Sequence, residues 1–218
     1  MQIRILQGIE GARKATGTVV VIDVLRAFTT AAYAFAAGIA EIQLVSTVEE
    51  AFRVEGFRMG EVGGRLIPGF DHNNSPSQLI GRKLSGRAVQ RTGSGTRCVV
   101  AASGAVEVWL GSLVVASATA RALADRAEVT LVASGYPEEG EEDLACAEML
   151  VALLQGTPVH QERIVAAVQN SRAAHKHRLG DTDSPLEDIA CAVSIDAFSF
   201  AMKVENRTGG LIAKPVVR

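Results

Sequence analysis

The clearest signal along the chain is an unbroken β-branched run, Thr18 to Ile22 (TVVVI). Such a run marks a strand buried on both faces of a parallel sheet. The strongly apolar stretch from Arg26 to Ala37 predicts a helix, closed by Gly38. Glu41 to Val45 reads as a second strand. Thr47, with Glu50 three residues on, predicts a capping box for a helix from Val48 to about Phe57. Periodicity then fades. Gly60 to Pro76 (GEVGGRLIPGFDHNNSP) is rich in Gly, Pro, Asn and Asp and reads as a long loop of the functional kind.

Beyond it, Ala88 to Gln90 predicts a short strand entering RTGSGTR, with a helix from about Thr96 to Ser103. Val106 to Leu110 and Glu128 to Ala133 read as strands, and Ser117 as the cap of a helix ending near Arg126. Helices are expected from about Glu142 to Gln155, Gln161 to Ala174 and Pro185 to about Ala197, and the tail from Lys203 as an edge strand. Strands alternate with helices at βαβ spacing, which predicts an α/β protein with a mainly parallel sheet covered on both faces. The faint echo between two halves, each strand, Ala-rich helix and strand, is too weak to divide the chain.

Composition narrows the class. The chain has 218 residues, 48% hydrophobic and 21% charged, ordinary for a protein with a sizeable core. A formal net charge of −2 gives no general footing on nucleic acid or an anionic membrane, so any bound anion must be caught by a local cluster. Cys98, Cys146 and Cys191 cannot all pair and form no CxxC, as expected for buried, reduced thiols in a cytoplasmic protein. The N-terminal residues show no apolar signal region, and the Ala-rich stretch from Ala31 to Ala40 is too short to span a bilayer. The Ala-rich helices could pack against a second copy of the chain as readily as within one, so a homodimer is one option.

Ligands of parallel α/β sheets bind beyond the C-terminal ends of the strands, and four polar segments fall at such ends. Asp23 closes the TVVVI strand with Arg26 three residues on. The carboxylate suits a cation or a proton, and the arginine suits a two-pronged contact with phosphate or sulfonate. An Asp helix cap with an Arg partner is the plainer alternative. In RTGSGTR, Arg91, Thr92, Ser94, Gly95, Thr96 and Arg97 combine small hydroxyls, glycine and two cations before a helix, a plausible oxyanion cradle. It lacks the Lys-Ser/Thr of a Walker loop. Glu61 with Asp71, His72, Asn73 and Asn74 offers hard oxygen donors. Glu138, Glu139, Glu141, Glu142 and Asp143 open a helix; most belong to a solvated face, with Glu142 or Asp143 expected to turn inward. His175 and His177 lie in a basic stretch, SRAAHKHR, expected to be exposed.

Several enzyme classes are excluded. A cysteine phosphatase needs C-x5-R, but Gly104, Ala152 and Ala197 stand six residues beyond the three cysteines. A haloacid-dehalogenase phosphatase needs Asp-x-Asp, but Leu25 stands two after Asp23. GxSxG is missing.

Taken together and in this order, VVVIDVLRAFTTA, GEVGGRLIPGFDHNNSP, TGSGTR, GSLVVASA and EEDLACAEML resemble the 2-phosphosulfolactate phosphatase family, from Val19 to about Asp196. The resemblance implies a three-layer α/β/α fold. It implies Mg²⁺-dependent hydrolysis of the phosphate monoester of 2-phospho-3-sulfolactate, a small, very anionic substrate. It gives Asp23, Arg26 and Glu61 as catalytic residues, and Asp23, Glu61, Glu142 and Asp143 as metal ligands. Arg26, Asn74, Ser75 and the residues of RTGSGTR would bind the substrate. This chain departs from the family pattern at Arg91 and Ser94, where a small hydroxyl and an amide are usual, and at Val115, where an asparagine is usual. Most of these departures fall in the expected anion pocket. A small-anion binder that has kept the fold without catalysis is the alternative.

Overall fold

The computed structural model describes residues 1–135, 139–180 and 182–217. Along the chain the elements are β1 (Gln2–Gln7), α1 (Gly8–Lys14), β2 (Thr18–Ile22), α2 (Ala27–Ala36), β3 (Glu41–Val45), α3 (Val48–Phe52), β4 (Phe57–Val62), β5 (Arg65–Leu66), β6 (Arg87–Arg91) and α4 (Gly95–Ala101). They continue as β7 (Glu107–Gly111), α5 (Ala116–Leu123), β8 (Glu128–Ala133), α6 (Glu141–Gln155), α7 (Gln161–Asn170), α8 (Arg172–Arg178), α9 (Glu187–Ala192), β9 (Ala201–Arg207) and β10 (Gly210–Val216).

The strands form one sheet in the order β1-β8-β2-β7-β9-β10-β3-β6-β4-β5. β1, β8, β2 and β7 are mutually parallel, as are β3, β6 and β4. Between these parallel blocks sits the antiparallel hairpin β9–β10. Side chains of β2 divide between two cores, as its unbroken apolar run requires. Val19 and Val21 pack with residues of α1, α2 and α4, whereas Val20 and Ile22 pack with α5, α6 and α7. The result is the α/β protein with three layers that the sequence predicts.

Local signals fall where the chemistry puts them. Thr47 and Glu50 form the capping box of α3, the Thr47 Oγ1 accepting from Glu50 N at 3.1 Å. α2 ends where Gly38 takes φ +113, and a Cβ there would lie 2.2 Å from the Leu84 carbonyl oxygen. Three departures matter. α3 stops at Phe52, and the segment read as helix end and loop contains β4 and the short β5. Ser117 does not cap α5; its backbone and hydroxyl donate instead to Asp196, at 2.7 and 2.6 Å.

The third concerns the tail, which is no edge strand but the middle of the sheet. Its charged residues extend sideways to partners on β7 and β3. Lys203 reaches Glu107 at 3.3 Å and lies 5.3 Å from the Trp109 ring centre, while Arg207 and Lys214 reach Glu41 at 3.3 and 3.5 Å. Pro215, which cannot donate to a ladder, lies beyond the Leu211–Ala213 stretch that pairs with β3. Among the described residues no helix is long and apolar enough to cross a membrane, and all three cysteines are buried and free.

Candidate active site

The C-terminal ends of β2, β4, β6 and β8 and the start of α6 meet around one cavity of about 470 Å³. Asp23, at the end of β2, is 4% exposed and lines it. Its Oδ1 accepts from Ala27 N at 2.8 Å, so the residue does cap the turn into α2. Its Oδ2 accepts from Ser94 and Ser134 hydroxyls, both at 3.1 Å. Capping and site membership are therefore compatible, one oxygen serving each.

Ser134 also stands 3.2 Å from Asp143 Oδ2. A hydroxyl has one hydrogen, so the Asp23–Ser134–Asp143 chain is fully satisfied only when one carboxyl holds a proton. The electrostatics agree. Burial, with the nearby charge of Glu61, raises Asp23. Burial and the charges of Glu142 and Asp23 raise Asp143 well above the ordinary range. Burial, with Asp23 and Glu141 adding repulsion, pushes Glu142 up to about 7.

The two inward residues of α6 divide their roles. Asp143 sits behind the cavity and braces strand ends, accepting from Val24 N at 2.8 Å and Gly135 N at 3.1 Å. Glu142 lines the cavity, and its buried Oε2 has no hydrogen-bond partner. Glu141 is exposed at the same first turn, and Glu138 lies outside the described residues.

Glu61 belongs to β4 rather than a loop. Its Oε2 accepts from Gly64 N at 2.7 Å and its Oε1 from Gly93 N. RTGSGTR is thus wired to carboxylates: Gly93 N–H to Glu61, Ser94 hydroxyl to Asp23. Gly95 is required by that closeness, since a Cβ there would lie 2.6 Å from Asp23 Oδ2 and 2.9 Å from Ala27 Cβ. Thr92 and Thr96 bond each other's backbone N–H groups through their hydroxyls, at 3.1 and 2.9 Å. This locks the loop, and only Thr92 of the two lines the cavity.

The cations differ among themselves. Arg26 is 6% exposed, and its Nη1 donates to Asp188 Oδ2 at 2.9 Å and Asp183 O at 2.7 Å. Part of its guanidinium is therefore held by the protein, while the residue still lines the cavity. Arg91 donates through Nη1 to Glu61 O at 2.6 Å, and Arg97 makes only a 3.5 Å contact to Gly93 O. Asn74 reaches the cavity; Ser75 does not, being fully buried and bonded to Asp188 Oδ1 at 2.7 Å. Asp71 lies elsewhere, accepting from Arg58 N at 2.8 Å.

The C-terminal half supplies what sequence reasoning missed. Lys176 and His177 on α8 line the cavity. His177 was expected to be exposed; it is 5% exposed because helix α8 turns it toward Pro185, whose carbonyl its Nδ1 meets at 2.8 Å. Asp188, fully buried on α9, receives Arg26 together with Ser75 and the backbone and hydroxyl of Ser77. Cysteine chemistry has no place here. Burial, with the charges of Asp23 and Asp143, pushes the Cys98 thiol up to about 12.

Among the described residues no three His, Cys, Asp or Glu side chains stand close enough to enclose a metal ion by themselves. The repulsion between Asp23 and Glu142, and the unpartnered Glu142 Oε2, fit an open site in which two carboxylates hold a hard cation and water or substrate completes its shell.

Buried carboxylates facing unpaired arginines over the C-terminal edge of a parallel sheet make a cavity suited to a small anion. Comparison with known proteins agrees. A family model described as 2-phosphosulpholactate phosphatase matches residues 3–207. A Bacillus subtilis protein named probable 2-phosphosulfolactate phosphatase is 33% identical, over 94% of this chain and 95% of its own length. Proteins of the same name from Deinococcus radiodurans (44% identical, 53% of this chain and 52% of the relative) and Thermus thermophilus (33%, 85% and 77%) are also similar. The chain belongs to the 2-phosphosulpholactate phosphatase family, whose members are phosphoric monoester hydrolases.

Proposed function

We propose that the protein is a Mg²⁺-dependent phosphatase that hydrolyses 2-phospho-3-sulfolactate, or a closely related small phospho-acid, to the hydroxy acid and phosphate. Lys176 pairs with Glu139 at the cavity wall, but three other carboxylates and two arginines of the same cavity stay unpaired, and that carries the reading. Among the described residues, Asp23, Glu61 and Glu142 form no ion pair with any lysine or arginine, and Arg91 and Arg97 form none with any carboxylate. A chain folding for stability alone would pair or drop the three buried carboxylates, since uncompensated buried charge is costly. A cation between the carboxylates and a polyanion against the arginines satisfies both sets at once.

Asp23 and Glu142 are the cation's candidate ligands, with Glu61 beside them. When bound, Mg²⁺ supplies charge neutralisation for the phosphoryl oxygens and orients the attacking group. The chain's own residues do the rest. Arg91 and Arg97 receive the phosphate or the acid groups of the substrate, Arg26 presents its remaining donors from a fixed position, and Asn74 adds a polar contact. Gly93 and Ser94 hold Glu61 and Asp23 in register.

The test is phosphate release from 2-phospho-3-sulfolactate with Mg²⁺ and with EDTA, for wild type and Asp23→Asn. Turnover should require the metal and fall by roughly a thousandfold or more in the variant. Turnover unaffected by EDTA removes the metal, and an active Asp23→Asn removes the role given to that carboxylate. Thermal stabilisation by sulfolactate without turnover of any phosphoester would show a binder instead.

A further inference from the structure

Nothing in the metal-and-arginine reading uses His177, yet its geometry is that of a working group. It is buried and lines the same cavity. Its Nδ1 lies 2.8 Å from the Pro185 carbonyl oxygen. A carbonyl only accepts, so Nδ1 carries the hydrogen and Nε2 keeps its lone pair. No hydrogen bond holds that Nε2 among the described residues. The contrast with His72 is direct. His72 is buried to the same degree, but its Nε2 meets the Ser75 carbonyl at 2.9 Å, its ring stacks on Phe57, and it does not line the cavity.

The charged groups facing the His177 imidazole are Arg26, from the turn after β2, and Asp188, from α9. Lys176, next to it on α8, is turned to Glu139 at 3.0 Å. The segment 183–188 fixes the arrangement: Asp183 O and Asp188 hold Arg26 while Pro185 O holds His177. Burial first, and then the Arg26 charge, lower the imidazole below its ordinary range, although Pro185 and Asp188 work the other way. A phosphate dianion drawn to Arg26 would cancel the repulsion and draw a proton onto Nε2. Guanidinium groups do not release protons, and His177 is the one imidazole among the described residues of the cavity wall.

We propose, on the phosphatase reading above, that His177 is the general acid that protonates the leaving oxygen of the substrate. Water forms the new bond to phosphorus and loses its proton to solvent by way of the site's carboxylates. The ester P–O bond breaks with its electron pair on the ester oxygen, which takes the Nε2 proton. The products are the alcohol and inorganic phosphate, and His177, now neutral, recovers its proton from solvent.

His177→Asn keeps an amide that can donate to the Pro185 carbonyl but removes Nε2; His177→Gln is the second variant. Each is compared with wild type on 2-phospholactate, whose leaving group is a basic alkoxide, and on p-nitrophenyl phosphate, whose leaving group needs no proton. The kcat on 2-phospholactate should fall roughly 100-fold or more while that on p-nitrophenyl phosphate changes less than about threefold, the size and selectivity of a lost general acid. Equal losses on both esters, with wild type active, would reduce His177 to a positioning or folding role; no loss on either would give it none. A wild type that hydrolyses no ester strikes the phosphatase reading itself. An independent arm needs no turnover: the imidazole NMR titration midpoint of His177 must rise when inorganic phosphate binds, and an unchanged midpoint overturns the acid role.

Discussion

The acidic and basic walls of the cavity are built by opposite strategies. On the acidic wall, Asp23, Glu142 and Asp143 are buried close together, and each is pushed toward its protonated form by burial and by its neighbours. On the basic wall, Arg91 and Arg97 are held by backbone carbonyls, which satisfy donors without cancelling charge. Of the three arginines, only Arg26 has a carboxylate partner, and that carboxylate comes from α9 rather than from the acidic wall. The fold thus keeps two opposite fields facing one space. Each wall lacks a counter-charge that the chain could supply and does not.

The hardest blow to this separation is Gly95→Ala. A methyl group there meets Asp23 and Ala27 inside contact distance, and displacement of a reacting carboxylate by about 1 Å can cost roughly 100-fold. Phosphate-release kinetics should show that loss in kcat; an active Gly95→Ala would mean the loop and Asp23 need not touch. Next is Arg91→Ala. Loss of a charged donor to an anion, worth about 1.5–3 kcal/mol, should raise KM by roughly 10-fold or more and leave kcat less affected. A fall in kcat alone would move Arg91 from the binding wall to the chemistry.

Glu142→Gln probes the cost of the acidic wall. In the folded chain this carboxyl keeps its proton up to about 7, against 4.5 for the ordinary group. The folded state therefore binds more protons in that interval, and its stability declines as pH rises through it, with the full cost present above about 7. The uncharged variant should melt higher than metal-free wild type at pH 8, by a few degrees at about 2–4 °C per kcal/mol. The gap should close toward pH 5, and Mg²⁺ should stabilise wild type more than the variant at pH 8. Identical melting at pH 8 would show that the acidic wall carries no uncompensated charge. Smallest is Ser134→Ala, which removes the hydroxyl between Asp23 and Asp143 and should cost about 0.5–1.5 kcal/mol in denaturant unfolding. A neutral result would mean that the two carboxyls share a proton without it.

Much of this was legible in the chain. TVVVI ending in Asp23, EIQLV, and EVTLVA gave their strands to the residue because β-branched runs between polar ends have no competing pattern. An inward turn of Glu142 or Asp143 was legible because they open a helix that then turns apolar; the structure buries both. Glu61 was found by residue type but placed in a loop, since the glycines at 60, 63 and 64 obscure the strand beneath it. The contributions of His177, Lys176 and Asp188 were not legible. They come from short polar helices whose periodicity is weak, and what makes them part of the site is tertiary contact: Asp188 with Arg26, His177 with Pro185 and Lys176 with Glu139. The basic stretch reads as exposed because five of its residues are charged or imidazole-bearing, and only tertiary packing selects the one that turns in.

The hairpin of β9 and β10 follows every other strand in the chain, yet it joins the β7 edge to the β3 edge. On one side of that seam lie β2 and β8, which bring Asp23 and Ser134; on the other lie β4 and β6, which bring Glu61 and Arg91. During synthesis, then, both half-sheets leave the ribosome before the piece that unites them, each with a bare edge open to wrong pairing. The residues around the cavity can share one sheet only once some sixteen residues (201–216) have joined its two halves.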